Sequence, residues 1–457
     1  MARDVAIIGG GISGLSLAFF FRQRGIRALL LESRDRVGGS IWTEKRDGYI
    51  LERGPNTSAL SNVPLFDLIK GSGLEGDLQF PPPSSRNRFI IREGKLTALP
   101  AGPMSLLTTQ AFSSRAKLRL IREPFIARGT DRDETVGDFF ARRFGPEIAD
   151  YAVKPFISGI YAGDADLLAM RAAFPGVWDV EQNFGSVITG FIKRARKQKR
   201  EGTRKPKPPH SGKIFTFTDG LSMLPSALHT LMADDIVTGA TDIRFERDGS
   251  SAVVSWQQNG QSHTESTARV VISTPAYAAA EILRPHDARL ADSLASIAYA
   301  PVCIAHLGYK REQVAHSLDG FGFLVPPREN RDVLGGLFSS TMFPHRAPDG
   351  HILLTVFMVG MRRPELMKLD DTAMLATATR EIGAMLGASG TPSLQVLTRI
   401  QRAIPQYTAA YAKVLEQEEA FERTTPNVIV CSSFKGGISV GDCVQSAWNV
   451  SEKIAGA

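Results

Sequence analysis

Within its first fourteen residues the chain passes from a buried strand into a glycine-rich turn, and this transition constrains the fold more than any other feature. Val5-Ala6-Ile7-Ile8 runs straight into Gly9-Gly10-Gly11-Ile12-Ser13-Gly14. A second apolar strand, Ala28-Leu29-Leu30-Leu31, ends at Glu32, eighteen residues after Gly14. In a βαβ unit Gly9 makes the tight turn, and Gly11 lets the backbone approach a pyrophosphate. Gly14 lets the helix pack closely on the strand, and the helix N-terminus stabilises the anion. Glu32 can accept hydrogen bonds from a ribose. A lone GxGxxG is weak evidence, but here strand, glycines, helix, second strand and acid fall in order, which predicts dinucleotide binding. The competing reading, a glycine-rich turn in some other α/β fold, gives Glu32 no purpose.

The chain has 457 residues, too many for one simple core, so two or more domains are expected. Hydrophobic content of 43% with 22% charge is ordinary for a folded protein. Three scattered cysteines, Cys303, Cys431 and Cys443, form no CxxC pair and no metal spacing; they fit a reducing cytoplasm. The dinucleotide strand starts almost at Met1, so no secretory leader is expected. The uncharged run from Val5 to Phe21 carries the fingerprint glycines and is not read as a membrane span. Of the eight histidines, His210, His229, His263 and His286 fall in polar loop or helix contexts, and none is read as catalytic.

Net charge is +7, and its excess is concentrated. Lys193 to Lys213 holds ten Lys or Arg residues against one acid, Glu201, with Pro206, Pro208 and Pro209. Two readings stand: a solvated excursion between elements, or attachment to an anionic membrane surface. Nucleic-acid binding is disfavoured, because no aromatic interleaves the charges and no recognition fold accompanies them.

Further along, Arg36-Val37-Gly38-Gly39 offers a second glycine turn, and Glu52-Arg53-Gly54-Pro55-Asn56-Thr57 a third. Pro81-Pro82-Pro83 breaks the chain, and Arg88 to Arg92 reads as a hairpin strand turning at Glu93-Gly94. Helical pattern dominates from about Met104 to Lys199, with starts at Asp133 and Gly145-Pro146. Val270 to Pro275 is a buried parallel-type strand returning to the first domain. His351 to Gly360 reads as a strand and Asp371 to Leu386 as a helix. Val428-Ile429-Val430-Cys431 is a last buried strand, joined by Gly436 to Asp442 to a terminal helix from Cys443 to Ile454. The expected class is α/β: a Rossmann-like domain built from discontinuous segments 1–80, 211–282 and 399–457, a mainly helical insert over 81–210, and an inserted α+β substrate domain over 283–398.

These segments resemble the FAD-dependent protoporphyrinogen oxidases of the flavin amine oxidase superfamily, over essentially the whole chain. The fingerprint, Arg36-Val37-Gly38-Gly39 and Gly54-Pro55-Asn56 are shared with other flavin amine oxidases. Ser158 to Asp164, Ile404-Pro405-Gln406-Tyr407 and Gly437 to Cys443 are far more specific, and Gly320 to Pro326 is similar to a family segment too. The resemblance implies FAD as cofactor. It places Gly9, Gly11, Ile12, Ser13, Gly14, Glu32, Arg36, Gly38, Gly39, Gly54, Pro55, Asn56 and Thr57 at the flavin nucleotide. Ile438, Ser439 and Val440 fall along the flavin and ribityl chain, and Asp242 on the adenine side. Asp442 has two readings, a cofactor contact or a cap on the last helix. Two positions depart from the wider group: Ser40 stands where many relatives have arginine, and Ile400 where many have tryptophan. Both are expected to line the cofactor.

The implied reaction removes six electrons and six protons from protoporphyrinogen IX, with oxygen as acceptor and peroxide as product. Aromatisation drives it, so the protein mainly orients the macrocycle and excludes water; no acid or base residue stands out. Arg88 matches the position that pairs with a propionate, and its planar fork suits a carboxylate; otherwise it is a surface arginine on a hairpin. Asn56 matches a turn beside flavin and substrate. Gly159 matches a glycine close to the reacting bridge, or else terminates a helix. Phe321, Phe323 and Leu324 are pocket walls or core strand.

The same chemistry would serve coproporphyrinogen III, whose four propionates need more cations. An amine oxidase, a carotenoid desaturase and an inactive flavin-binding scaffold are more distant alternatives. Leu106-Leu107, Ala111-Phe112 and Leu118 to Ile121, beside Arg115, Lys117 and Arg119, form either an interfacial face for a bilayer or a core-packed amphipathic helix. The resemblance thus implies a cytoplasmic enzyme, peripheral on the inner face of a membrane, with a metal chelatase receiving its product.

Overall fold

The computed structural model describes residues 3–100, 102, 105, 108–203, 206–249 and 251–456. The expected positions Met104, Leu106, Leu107, Arg204 and Lys205 lie outside them. Two seven-stranded sheets organise the chain. In the first, Arg3–Ile8 is flanked by Ala28–Leu31 and Gln261–Ile272, with Ile236–Val237 beyond the former and Val428–Val430 beside the latter, all parallel. Ser251–Gln258 and Thr241–Asp248 extend it antiparallel. Strands 5, 271 and 429 residues into the chain thus share one core, which explains why each reads as an unbroken apolar run. Alternation sorts their side chains. Val5 and Ile7 pack with the helix Ile12–Gln23 and the terminal helix Val440–Ala455, while Ala6 and Ile8 face the opposite core.

The second sheet runs Leu394–Pro405, Tyr299–Lys310, His351–Val359, Val333–Phe338, Gly320–Leu324, Asn87–Arg92, Lys95–Ala98. Asn87–Arg92 and Lys95–Ala98 form the hairpin expected at Glu93-Gly94, whose φ angles of 53° and 77° suit the mirror-image turn that matches strand twist. This hairpin pairs parallel to Gly320–Leu324, so it belongs to the second sheet and not to the helical insert. Leu394–Pro405 likewise crosses the boundary drawn at 398 and completes this sheet. Both differences arise because a composition shift marks where the chain texture changes, not which strand it will pair with. The helix Asp371–Leu386 covers one face through Met374, Ala378 and Ile382.

Between these sheets the chain is helical. Val136–Phe144 is capped by Thr135, whose Oγ1 accepts the Asp138 N–H at 3.1 Å, so the helix starts beyond Asp133. Arg143 is fully buried and held by Glu123 and by Glu181 at 3.3 Å. The Glu123 carboxylate also accepts from Ser186 Oγ at 2.7 Å and Val187 N–H at 2.9 Å, tying the turn Glu123–Phe125 to the start of the helix Val187–Arg200. Among the described residues no helix is long and apolar enough to cross a membrane.

Candidate active site

A large cavity of about 1960 Å³ opens beyond the carboxyl ends of the parallel strands Arg3–Ile8, Gln261–Ile272 and Val428–Val430, where open α/β sheets place their ligands. One end is built by the fingerprint. A Cβ at Gly11 would meet nothing within 4 Å, so its backbone faces open space. Gly14 lies behind the wall: a Cβ there would collide with the Gly9 carbonyl, which is the close helix–strand approach the spacing requires. The helix Ile12–Gln23 has no capping side chain at Gly11 and no acid in its first turn, so its N–H groups remain available to an anion. The second glycine turn presses against the first through Gly38 N–H to Gly10 O at 2.8 Å, and Gly39 leaves room for Gly11 Cα at 3.1 Å.

Glu32 is held rigidly. Its Oε2 accepts the Gly10 N–H at 2.7 Å and its Oε1 the Arg34 N–H at 2.9 Å, while the residue still lines the cavity. A carboxylate has about four lone-pair sites, so acceptor capacity remains for hydroxyls. Asp242 lines the same end in a left-handed backbone conformation (φ 48°), where the edge strand bulges.

Toward the second sheet the lining changes to Gly159, Phe321, Leu334, Leu337 and Phe357, with Ile400 on the strand Leu394–Pro405. Gly159 is inside the helix Lys154–Tyr161, and the left-handed residue that ends this helix is Ala162 (φ 45°). Its helix-terminating reading is therefore replaced by a packing one: a Cβ at 159 would stand 2.5 Å from Leu324 Cδ2. Ser40, Gly54, Pro55, Asn56, Thr57, Ile438, Ser439 and Val440 complete the wall where the two ends meet.

Five further expected residues lie outside the lining, Arg88 exposed beside it and the others packed around it. Arg36 donates to the carbonyls of Val37, Gly39 and Ile41 at 3.1–3.3 Å and so holds its own loop. Leu324 backs Gly159, and Phe323 packs on Phe338 with centroids 6.1 Å apart. Arg88 lies with its guanidinium 4.4 Å over the Phe321 ring, and desolvation pulls its pKa below the usual arginine value. Asp442 occupies the first turn of the terminal helix and accepts from Ser439 Oγ at 2.6 Å, while Ser439 Oγ accepts the Asp442 N–H at 3.1 Å. This reciprocal cap is the helix-end role; Ser439, one residue before the helix, is the cap, and Val440 starts a helix that reading from Cys443 set too late.

The cavity also has walls that the motifs did not disclose. Ser273 and Thr274 follow the strand Gln261–Ile272, and both hydroxyl oxygens are buried with no partner among the described residues. The βα turn there was legible as a strand end but carries no glycine signature. His286 lines the same cavity as Asp242, stacked on Phe245 at 4.0 Å, and desolvation lowers its pKa. Gln406 and Tyr407, from the motif Ile404–Tyr407, act at long range. Gln406 Nε2 donates to Tyr161 O at 2.9 Å, and Tyr407 Oη to Ser433 O at 3.2 Å. One short motif thus clamps the helix bearing Gly159 and the loop before the terminal helix onto the second sheet.

FAD fits these residues. Open backbone amides, an acid positioned for hydroxyls, and the unpartnered Ser273, Thr274 and Asn56 Nδ2 atoms form a polar lining along one arm of the cavity. The volume exceeds the roughly 300–1,000 Å³ typical of a single small-ligand pocket, leaving room for a second, flat apolar molecule. Comparison with known proteins agrees. The profile described as flavin containing amine oxidoreductase matches residues 12–455. The mitochondrial protoporphyrinogen oxidase of Nicotiana tabacum is 31% identical, over 99% of this chain and 95% of that protein. The coproporphyrinogen III oxidase of Bacillus subtilis is 27% identical, over 97% of this chain and 96% of its own. A solved structure from Exiguobacterium sp. superposes with a TM-score of 0.81 at 21% identity, covering 100% of this chain and 99% of its own, and shows the same fold.

Proposed function

Since this chain belongs to the flavin-containing amine oxidoreductase family, we propose that it oxidises protoporphyrinogen IX to protoporphyrin IX in haem and tetrapyrrole biosynthesis. Six electrons and six protons leave the substrate in three rounds, and each round converts one oxygen molecule to one of hydrogen peroxide. The observation that carries this reading is one continuous cavity joining the dinucleotide fingerprint to the apolar walls at Gly159, Phe321, Leu334 and Phe357. Bound FAD supplies the hydride-accepting chemistry and its return to oxygen.

The chain's own residues orient and desolvate. Gly159 lets Leu324 pack tightly against its helix, and this contact sets the position of the wall that the macrocycle meets. Phe321 and Phe357 provide flat apolar contact and exclude water from the reacting bridge. Arg88, aligned by its stack on Phe321, offers its fork to a propionate at the rim. A second reading, coproporphyrinogen III to coproporphyrin III, is favoured by one observation. Arg402 lines the same cavity, 4.8 Å over the Tyr277 ring, and gives the rim a further cation.

The partner surface follows from exposure. Leu118, Ile121 and Phe125 (87% exposed) adjoin Ile188, Phe191 and Ile192 through the Glu123 link, and Arg122, Lys193 and Arg194 border them. This apolar face rimmed by cations suits an anionic bilayer surface, from which an apolar product would pass to a metal chelatase. Co-sedimentation with anionic vesicles should be lost in Phe125→Asp/Ile192→Asp; equal pelleting of both proteins would reject the surface.

Aerobic turnover of the FAD-loaded protein with both porphyrinogens, followed by porphyrin fluorescence, tests the function. Preference for the dicarboxylate supports the first reading, and preference for the tetracarboxylate the second. Oxidation of neither, with flavin bound, rejects both.

A further inference from the structure

Arg346 ends the short turn Pro344–Arg346 beyond the second sheet, yet its side chain reaches into the cofactor half of the molecule. It is 1% exposed, and one terminal nitrogen donates to Glu52 Oε1 at 3.2 Å, Asn56 O at 2.8 Å and Thr216 Oγ1 at 3.0 Å. The other terminal nitrogen points at Asn56 Oδ1 at 3.4 Å. Glu52 is itself fixed, accepting from Thr43 Oγ1 at 2.7 Å and from the Leu221 N–H at 2.8 Å.

A guanidinium carries donors and no acceptor. An asparagine amide facing it must turn its oxygen inward and its nitrogen outward. The Asn56 Nδ2 atom is buried and has no partner among the described residues, and Asn56 lines the cavity. Leaving a buried amide nitrogen unpaired is costly, so this donor is suited to an acceptor that occupies the cavity. Its place narrows which acceptor. Asn56 sits on the cofactor-side turn and is held from the second-sheet side, so it stands at the junction where the reacting ring of the cofactor must meet the substrate.

We infer that the buried Arg346–Glu52 pair sets the polarity of the Asn56 amide, making Asn56 a dedicated hydrogen-bond donor to the isoalloxazine ring of FAD. Arg346 and Glu52 are then positioning residues that act through Asn56. A donor at N1 or at a ring carbonyl oxygen, where negative charge builds on reduction, stabilises the reduced ring more than the oxidised one, so the triad holds the flavin potential up and favours electron uptake from substrate.

The test compares holoprotein with Asn56→Leu, Arg346→Met, Arg346→Lys and the Asn56→Leu/Arg346→Met double variant. The readouts are the two-electron potential and visible spectrum of the bound FAD. Asn56→Leu should move the oxidised–reduced equilibrium about tenfold toward oxidised, ~30 mV for a two-electron couple. Arg346→Met should shift it the same way, the double variant no further than Asn56→Leu, and Arg346→Lys should stay near wild type because lysine also donates. Should Arg346→Met fail to retain FAD, the lysine variant decides: a shift as large as that of Asn56→Leu overturns the positioning role. An unchanged potential and spectrum in Asn56→Leu, even with a raised KM, would overturn the flavin contact itself.

Discussion

Leu324 Cδ2 occupies the space that a side chain at position 159 would need, 2.5 Å from where a Cβ would stand. The cavity-lining glycine and the leucine behind it are therefore one packing unit, contributed by a helix of the insert and a strand of the second sheet. Gly159→Ala gains up to about 1 kcal/mol of helix propensity, while overpacking costs about 1–3 kcal/mol, so the thermal midpoint should change little. The displaced neighbours narrow the substrate end, and turnover should fall about tenfold. Adding Leu324→Ala should restore much of it; a double variant as slow as the single one would separate the two residues.

Glu32 should govern cofactor affinity. Glu32→Gln keeps the side-chain shape but loses charge and half of the acceptor capacity that now serves Gly10, Arg34 and the cavity. A hydrogen bond to a charged group contributes about 1.5–3 kcal/mol. FAD should bind about 10- to 100-fold more weakly, as measured by titrating flavin fluorescence. Affinity equal to wild type would remove Glu32 from the site.

Arg88 should affect substrate binding more than the chemical step. Its guanidinium stacks on Phe321 at the rim and has no acidic partner among the described residues. Arg88→Ala should raise the porphyrinogen KM about tenfold with a smaller change in kcat, consistent with loss of one charge-assisted contact. Arg88→Lys should recover only part, because a point charge lacks the planar fork. A fall confined to kcat would count against the propionate contact.

Acid should loosen the helical part first. At Glu123, burial pushes the carboxyl up, but hydrogen bonds from Ser186 and Val187, the Arg143 charge and the Ile188 N–H outweigh it and hold it below the usual glutamate range. Glu147 is likewise lowered against burial by Ser113 and Arg92. A depressed folded-state pKa contributes stability that is present above the unfolded value and lost as pH falls through the folded one. Helical circular dichroism and thermal midpoints should therefore hold steady above about pH 5 and decline below about pH 4. Glu123→Gln should lower stability by about 3 kcal/mol at neutral pH, since it leaves Arg143 buried without its main partner, and should flatten the acid decline. An unaltered decline would assign it elsewhere.

Much of the cofactor half was legible from local signals. Gly9, Gly11 and Gly14 announce a turn whose geometry is set by adjacent backbone atoms, and the apolar runs ending at Leu31, Ile272 and Val430 announce strands buried on both faces. The hairpin at Glu93-Gly94 was legible for the same reason, since Gly94 adopts the positive φ that a tight turn needs without strain. Its destination was not: pairing with Gly320–Leu324 joins segments more than two hundred residues apart, and nothing in a hairpin's own pattern specifies that neighbour. Ser273 and Thr274 were passed over because small hydroxyl residues at a strand end are common everywhere.

The amino-acid order alone determined a first turn whose amides suit a dinucleotide, because spacing among nearby residues dictates local backbone shape and leaves those amides exposed. Only the tertiary structure decided that Gly159 would abut Leu324, that Gln406 and Tyr407 would clamp distant segments, and that Arg346 would turn the Asn56 amide toward the cavity. Those contacts depend on which side chains meet when two sheets and a helical layer pack together, and a side chain's orientation is set by the partner it meets there.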